Sequence, residues 1–188
     1  MIKKINNYVS RKNTFKRVFF LFLATNVIYG IIIFVTIPKV MKYSDGMKIL
    51  DMLPMGYNAE YVKNLFVTLG ENGRHTYLFE QIPFDMIYPG LFGLTYSLII
   101  FYLSKKINFD NLSIYKIALL PMFAGIFDYL ENIGVIFLLT KFPDLNEKVV
   151  GTSSLFSLGK SLFTTLTFLT IITLLFLMVS KKIKMNKK

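Results

Sequence analysis

Cysteine is absent from the 188 residues, and histidine occurs once, as His75. Without thiols there is no disulfide, no thiol nucleophile and no cysteine-type metal site. A single imidazole leaves multi-histidine metal centres and most histidine-based catalysis without their groups. The chemical motifs are missing as well. There is no G-x-S-x-G elbow, which leaves a serine hydrolase unsupported, no H-E-x-x-H zinc helix and no glycine-rich phosphate loop. Acids are few: 11 Asp and Glu stand against 22 Lys and Arg, a net charge of +11. Nucleic acid would need that charge as a basic face on a soluble fold. Instead the chain is 54% hydrophobic and the bases gather at the ends of long apolar runs, so no nucleic-acid partner is expected.

Those runs cover about 18–38, 84–104, 114–140 and 153–179. Each is long enough to cross ~30 Å of hydrocarbon as a helix. The expected fold is an all-α integral membrane protein: one membrane domain, a four-helix transmembrane bundle over residues 1–188. The first run follows a basic segment carrying Lys3, Lys4, Arg11, Lys12, Lys16 and Arg17. It is longer than a signal-peptide core and no A-x-A-like site closes it, so it reads as an uncleaved span. The positive-inside rule places both termini and the 107–113 loop, with its flanking lysines, in the cytoplasm of a plasma-membrane protein. The basic tail is a lipid-headgroup anchor. Abundant Lys, Ile, Asn and Phe point to an AT-rich, bacterial genome.

Residues 39–83 then form an extracytoplasmic loop with a short amphipathic helix pair. Asn58 before Ala59 and Glu60 is an N-cap pattern, and Gly70 after Leu69 is a C′ glycine. The apolar face of Tyr61, Val62, Leu65, Phe66 and Leu69 suits a helix lying on the bilayer or capping the bundle. A second helix is expected to carry Arg74, His75 and Gln81 towards Pro83. In the second span, Asp85, Tyr88, Pro89, Phe92 and Tyr96 share one stripe, and Asn26, Tyr29, Gly30 and Ile33 share a face of the first.

The third run holds Pro121, Ala124, Gly125, Asp128, Glu131, Asn132 and Val135 on one helical face. Pro121 is expected to kink the span and free a carbonyl that a polar neighbour must satisfy. An ionisable group at bilayer depth costs roughly 2.5–3.5 kcal/mol or more, so Asp128 and Glu131 should face other helices or a wet cavity. In the fourth run Ser153, Ser157, Ser161 and Thr165 form a small-residue ridge for close helix packing, a candidate homodimer seam. Lys160 sits beside it. Asp128, Glu131, Asn132, Lys160, Asp85, Gln81, Tyr88 and Arg74 can therefore converge in the outer half of one bundle, roofed by the Asn58–Leu69 helix. No metal or cofactor is expected. The plainer reading is that two acids and a lysine neutralise one another and fix helix register.

In architecture the chain resembles the EXPERA membrane proteins, the emopamil-binding-protein group. The stretch Phe79-Glu80-Gln81-Ile82-Pro83-Phe84-Asp85-Met86-Ile87-Tyr88-Pro89 is similar to that group's acid-then-proline second span. The resemblance implies a lipid- or sterol-sized cavity lined by carboxylates, serving isomerisation or ligand binding. Three functions follow as expectations. One is binding of a lipid or amphipathic molecule, with Lys160 or Arg74 meeting an anionic head. Another is isomerase-type catalysis by Asp128 and Glu131 as acid and base. The last is a structural or transporter subunit with register-fixing charges.

Overall fold

Apolar runs of spanning length have only one way to satisfy every backbone amide in lipid without a partner sheet, which is to coil. The computed structural model describes residues 14–109 and 112–186, and all its regular structure is helical. Four of its helices are long and apolar enough to cross a membrane, beginning at Phe15, Ala59, Ile114 and Glu147. The basic residues Lys3, Lys4, Arg11, Lys12, Lys187 and Lys188 lie outside the described residues.

The first span comprises α1 (Thr14–Ile31), a π-helical turn (Ile32–Thr36) and α2 (Ile37–Met41). A 3-10 turn, Leu50–Met52, interrupts the loop that follows. Helix α3 (Ala59–Thr76) starts as its capping pattern requires, with Asn58 Oδ1 accepting from the Tyr61 amide at 2.8 Å. It breaks at Gly70, whose φ of 61° is open to glycine and strained for other residues. Beyond the break the chain does not stop before the second span. It runs on through a second π turn (Tyr77–Gln81) into α4 (Ile82–Lys106). Each π turn stands just ahead of a proline, Pro38 or Pro83. The wider turn gives the pyrrolidine ring room where a regular helix would present a carbonyl.

Pro121 does more than kink the third span. The helix is cut into α5 (Leu112–Ile117) and α6 (Leu120–Lys141), and the Ser97 hydroxyl donates to the Ala118 carbonyl at the break, 2.6 Å away. Helix α7 (Glu147–Asn186) makes the fourth span. Asn146 caps it by accepting from the Lys148 amide at 3.0 Å.

The packing is a chain of neighbours: first span on second, second on third, third on fourth, with a smaller contact of second on fourth. The largest apolar core lies at the loop end, where Val62, Leu65, Phe66 and Leu69 of α3 pack among Val40, Ile49, Leu50, Val135 and Leu138. The amphipathic helix therefore caps the bundle.

Candidate functional site

Pro89 has no amide hydrogen, so the carbonyl of Asp85 one turn earlier loses its helical partner. Asn132 of α6 replaces it: Nδ2 donates to the Asp85 carbonyl at 3.1 Å. The helices come close enough for this because Gly125 has no side chain. A Cβ there would stand 2.6 Å from the Pro89 carbonyl oxygen. Helix α7 reaches the other side of α6 by the same means, since a Cβ on Gly134 would meet the Ser153 side chain. Small residues thus set the spacing at which the polar groups meet.

Lys160 of α7 then sits between the two acids of α6. Its Nζ lies 2.8 Å from Asp128 Oδ1 and 3.0 Å from Glu131 Oε2. Ser157 donates to the other Glu131 oxygen, and Ser153 donates to the Glu131 carbonyl at 3.3 Å. Tyr57 and Ser153 share a hydrogen bond of 2.7 Å between their hydroxyls. An ammonium held by two carboxylates is no base for the neighbouring Ser157 hydroxyl, so the two do not form a serine–lysine dyad. The serine ridge is also used inside the chain. Ser153 and Ser157 are buried against α6, and only Thr165 at the far end of the ridge is exposed. Half of the ridge is thus taken up by packing within the chain.

Beside this triad lies a cavity of about 730 Å³. Its polar end is formed by Asp51, Asp85, Asp128 and Lys160. Its walls are aliphatic and aromatic: Ile32, Ile33, Ile37 and Met41 line it, Tyr29 stacks on Tyr88 at 5.3 Å, and Phe92 and Tyr96 lie 4.6 Å apart. Asp85, Tyr88, Phe92 and Tyr96 reach it together, as one stripe of α4. Glu131 and Asn132 are buried behind the wall and do not line it.

Asp51 is the acid that no helical pattern announced. It comes from the 3-10 turn, an acid enclosed by Ile49, Leu50, Met52 and Leu53, and that setting in a membrane chain is its one sequence signal. This turn, with Asp51 and Met52, closes the loop end of the cavity, and α3 contributes nothing to the lining. The expected roof is therefore corrected from the Asn58–Leu69 helix to the turn before it. Gln81 is fully buried. It accepts from the Thr36 hydroxyl and its amide reaches Asp51 Oδ2 at 3.4 Å, joining the two π turns to the roof. Burial pushes the Asp51 carboxyl above its usual range, against the pull of the Lys160 charge.

Arg74 goes elsewhere. Its guanidinium donates to the Phe66 carbonyl at 2.6 Å and lies 4.6 Å from the centre of the Phe142 ring. It ties α3 to the loop-end core and lines no part of the cavity. The nearby His75 packs its ring 4.6 Å from that of Phe79. No three Asp, Glu or His side chains among the described residues converge as metal ligands.

No family model matches the chain, and the comparisons with curated proteins and solved structures found no match. The chemistry of the cavity is what remains to be read. Four carboxyls, those of Asp51, Asp85, Asp128 and Glu131, surround one ammonium. Two of them are bound to it. Asp85 is 5% exposed, and its Oδ2 is buried with no hydrogen-bond partner.

Proposed function

We propose that the protein binds a small amphipathic molecule in this cavity, in the plasma membrane, with both termini cytoplasmic and the acidic end of the cavity in the outer half of the bundle. The observation that carries the reading is the buried, unpartnered Oδ2 of Asp85, a residue in the wall of a 730 Å³ cavity. Asp51 Oδ1, Asn132 Oδ1 and the Tyr77 hydroxyl are likewise buried without a hydrogen-bond partner, and Asp51 also lines the cavity. Because buried polar groups are usually paired, two such acids in the wall of a cavity of ligand size support a partner from outside the chain.

The charge of that partner differs from the expectation. Lys160 is already shared by Asp128 and Glu131, and Arg74 is outside the cavity, so an anionic head has no free cation to meet. Asp51 and Asp85 instead favour a head that donates hydrogen bonds, an ammonium above all. The apolar part of the molecule lies against Tyr88, Phe92 and Tyr96. The resemblance of residues 79–89 to an acid-then-proline second span fits this reading, because the acid of that segment is the open carboxyl.

Matched probes test it. Dodecylammonium and dodecanoate share a tail and differ in head charge. Titrated against the purified protein in nanodiscs, dodecylammonium is expected to bind, dodecanoate to bind at least tenfold more weakly, and Asp85→Asn to remove most of the difference. Preference for dodecanoate would invert the charge assignment. Binding of neither, together with no copurified small molecule in native mass spectra, would end the binding reading. A proton-shuttling enzyme is the second reading, and there the geometry favours Asp85 over the expected pair, since Asp128 and Glu131 are both held by Lys160.

A further inference from the structure

The cavity has a wall of each span, but those walls are not equally closed. Residues contributed by the second and third spans are mostly buried: Asp85, Phe92, Tyr96, Ala124 and Asp128 are each under a tenth exposed. The strongly exposed lining residues come from the other two. Tyr29 and Ile33 of the first span are 44% and 37% exposed, and Phe168 of the fourth is 41% exposed. The first and fourth spans are not among the helix pairs that pack extensively on each other, although both border the cavity. A side chain that lines a cavity and is also open to the outside marks its mouth. Tyr29, Ile33 and Phe168 place a mouth, a slot, between the first and fourth spans, while the exposed lining residue Pro38 stands at the loop end of the first span.

What lies outside the slot follows from the sequence beside it. Between Arg17 and Lys39 the first span carries no charged residue, and neither does the fourth between Lys160 and Lys181. Tyr29 stands midway along the first of these stretches and Phe168 within the second. The neighbouring outward residues are apolar too, with Phe34 81% and Ile172 62% exposed. A mouth at that level, with an apolar rim, opens on hydrocarbon.

We propose that the cavity fills sideways from the bilayer through this slot, and that its ligand belongs to molecules dissolved in the membrane that present a hydrocarbon tail. The proposal rests on the reading of the four helices as spans and deepens the binding reading by naming the route and the tail. The head passes the aromatic rim of Tyr29 and Phe168 and meets Asp85, while the tail trails in the slot.

The chain contains neither tryptophan nor cysteine, so single reporters can be introduced cleanly. Phe92→Trp puts a fluorophore on the buried wall opposite the slot, and Ile33→Cys gives a handle on the rim. In nanodiscs of phosphatidylcholine with dibrominated acyl chains, the introduced tryptophan is expected to lose most of its emission, while aqueous iodide removes little. Coupling a bulky maleimide to the cysteine should restore most of the emission. Iodide quenching without bromine quenching would overturn the slot, because the cavity would then open to water. Bromine quenching that the maleimide leaves unchanged would also overturn it, as would silence to both quenchers with the introduced cysteine cross-linking to that of a second copy. Tyr88→Trp provides the same readout should Phe92→Trp fail to fold. If dodecylammonium does not bind while bromine quenching persists, the head-group reading falls and the slot stands; the reverse pattern removes the slot alone.

Discussion

The side chain of Asn132 holds the backbone carbonyl of Asp85 that Pro89 leaves without a helical donor. A proline in one helix is thus completed by an amide in the next, and the join lies at the level of the acids. Replacing Asn132 with Leu should leave the buried carbonyl unpaired and lower stability by ~1–3 kcal/mol. Adding Pro89→Ala restores an amide donor within α4, so the double variant should recover part of the loss. A double-mutant cycle from thermal unfolding in detergent checks this, with a coupling of about 1 kcal/mol expected. Simple additivity would mean that the two residues do not act on the same carbonyl.

Lys160→Met should be among the most damaging single changes, costing ~3 kcal/mol or more, because it strands two buried carboxylates. Removing one of the stranded charges, in Lys160→Met with Glu131→Gln, should be milder than Lys160→Met alone. Yield of monodisperse protein and its unfolding temperature provide the measurement. Equal damage in both variants would show that the lysine acts through something other than those acids.

Asp51 lies outside the spanning segments, and burial raises its carboxyl above the ordinary value of 3.8. The folded state therefore binds that proton more tightly than the unfolded chain does. Its contribution to stability is complete below 3.8 and is lost as pH rises through the raised folded value. Asp51→Asn should flatten this decline and be more stable than the parent at neutral pH. Unfolding temperatures of both proteins over an acid-to-neutral pH series test the sign; parallel curves would refute it.

Gly125 and Gly30 make a matched pair. Gly125→Ala would place its Cβ 2.6 Å from the backbone oxygen of Pro89, forcing the second and third spans apart, whereas a Cβ on Gly30 meets nothing within 4 Å. The expected outcome is a loss of ~1–3 kcal/mol for Gly125→Ala and no loss for Gly30→Ala. The same unfolding assay separates them.

Run length made the four spans legible, because crossing hydrocarbon imposes a minimum number of apolar residues and nothing in a short loop imitates it. Helical spacing made Asp128, Glu131 and the Asp85–Tyr96 stripe legible for a similar reason, since a helix fixes which side chains share a face. Asn58 and Gly70 announced a helix start and break through local backbone chemistry. Asp51 escaped because a 3-10 turn has no period to read, and its burial depends on tertiary packing. The sequence left open whether the second span continues backwards through Pro83, because a π turn leaves no pattern of its own in the residues that form it. Arg74 was misplaced because a long, flexible side chain on the correct helix can still turn to the opposite neighbour.

The pairing of Lys160 with acids of the preceding helix also orders how the chain is built. A last span threaded into the bilayer alone would carry a bare ammonium into oil, at ~2.5–3.5 kcal/mol on insertion scales. With the third span already seated, Asp128 and Glu131 receive that charge on arrival. Synthesis from the amino terminus delivers the acids first, so the groups that neutralise Lys160 precede it into the bilayer.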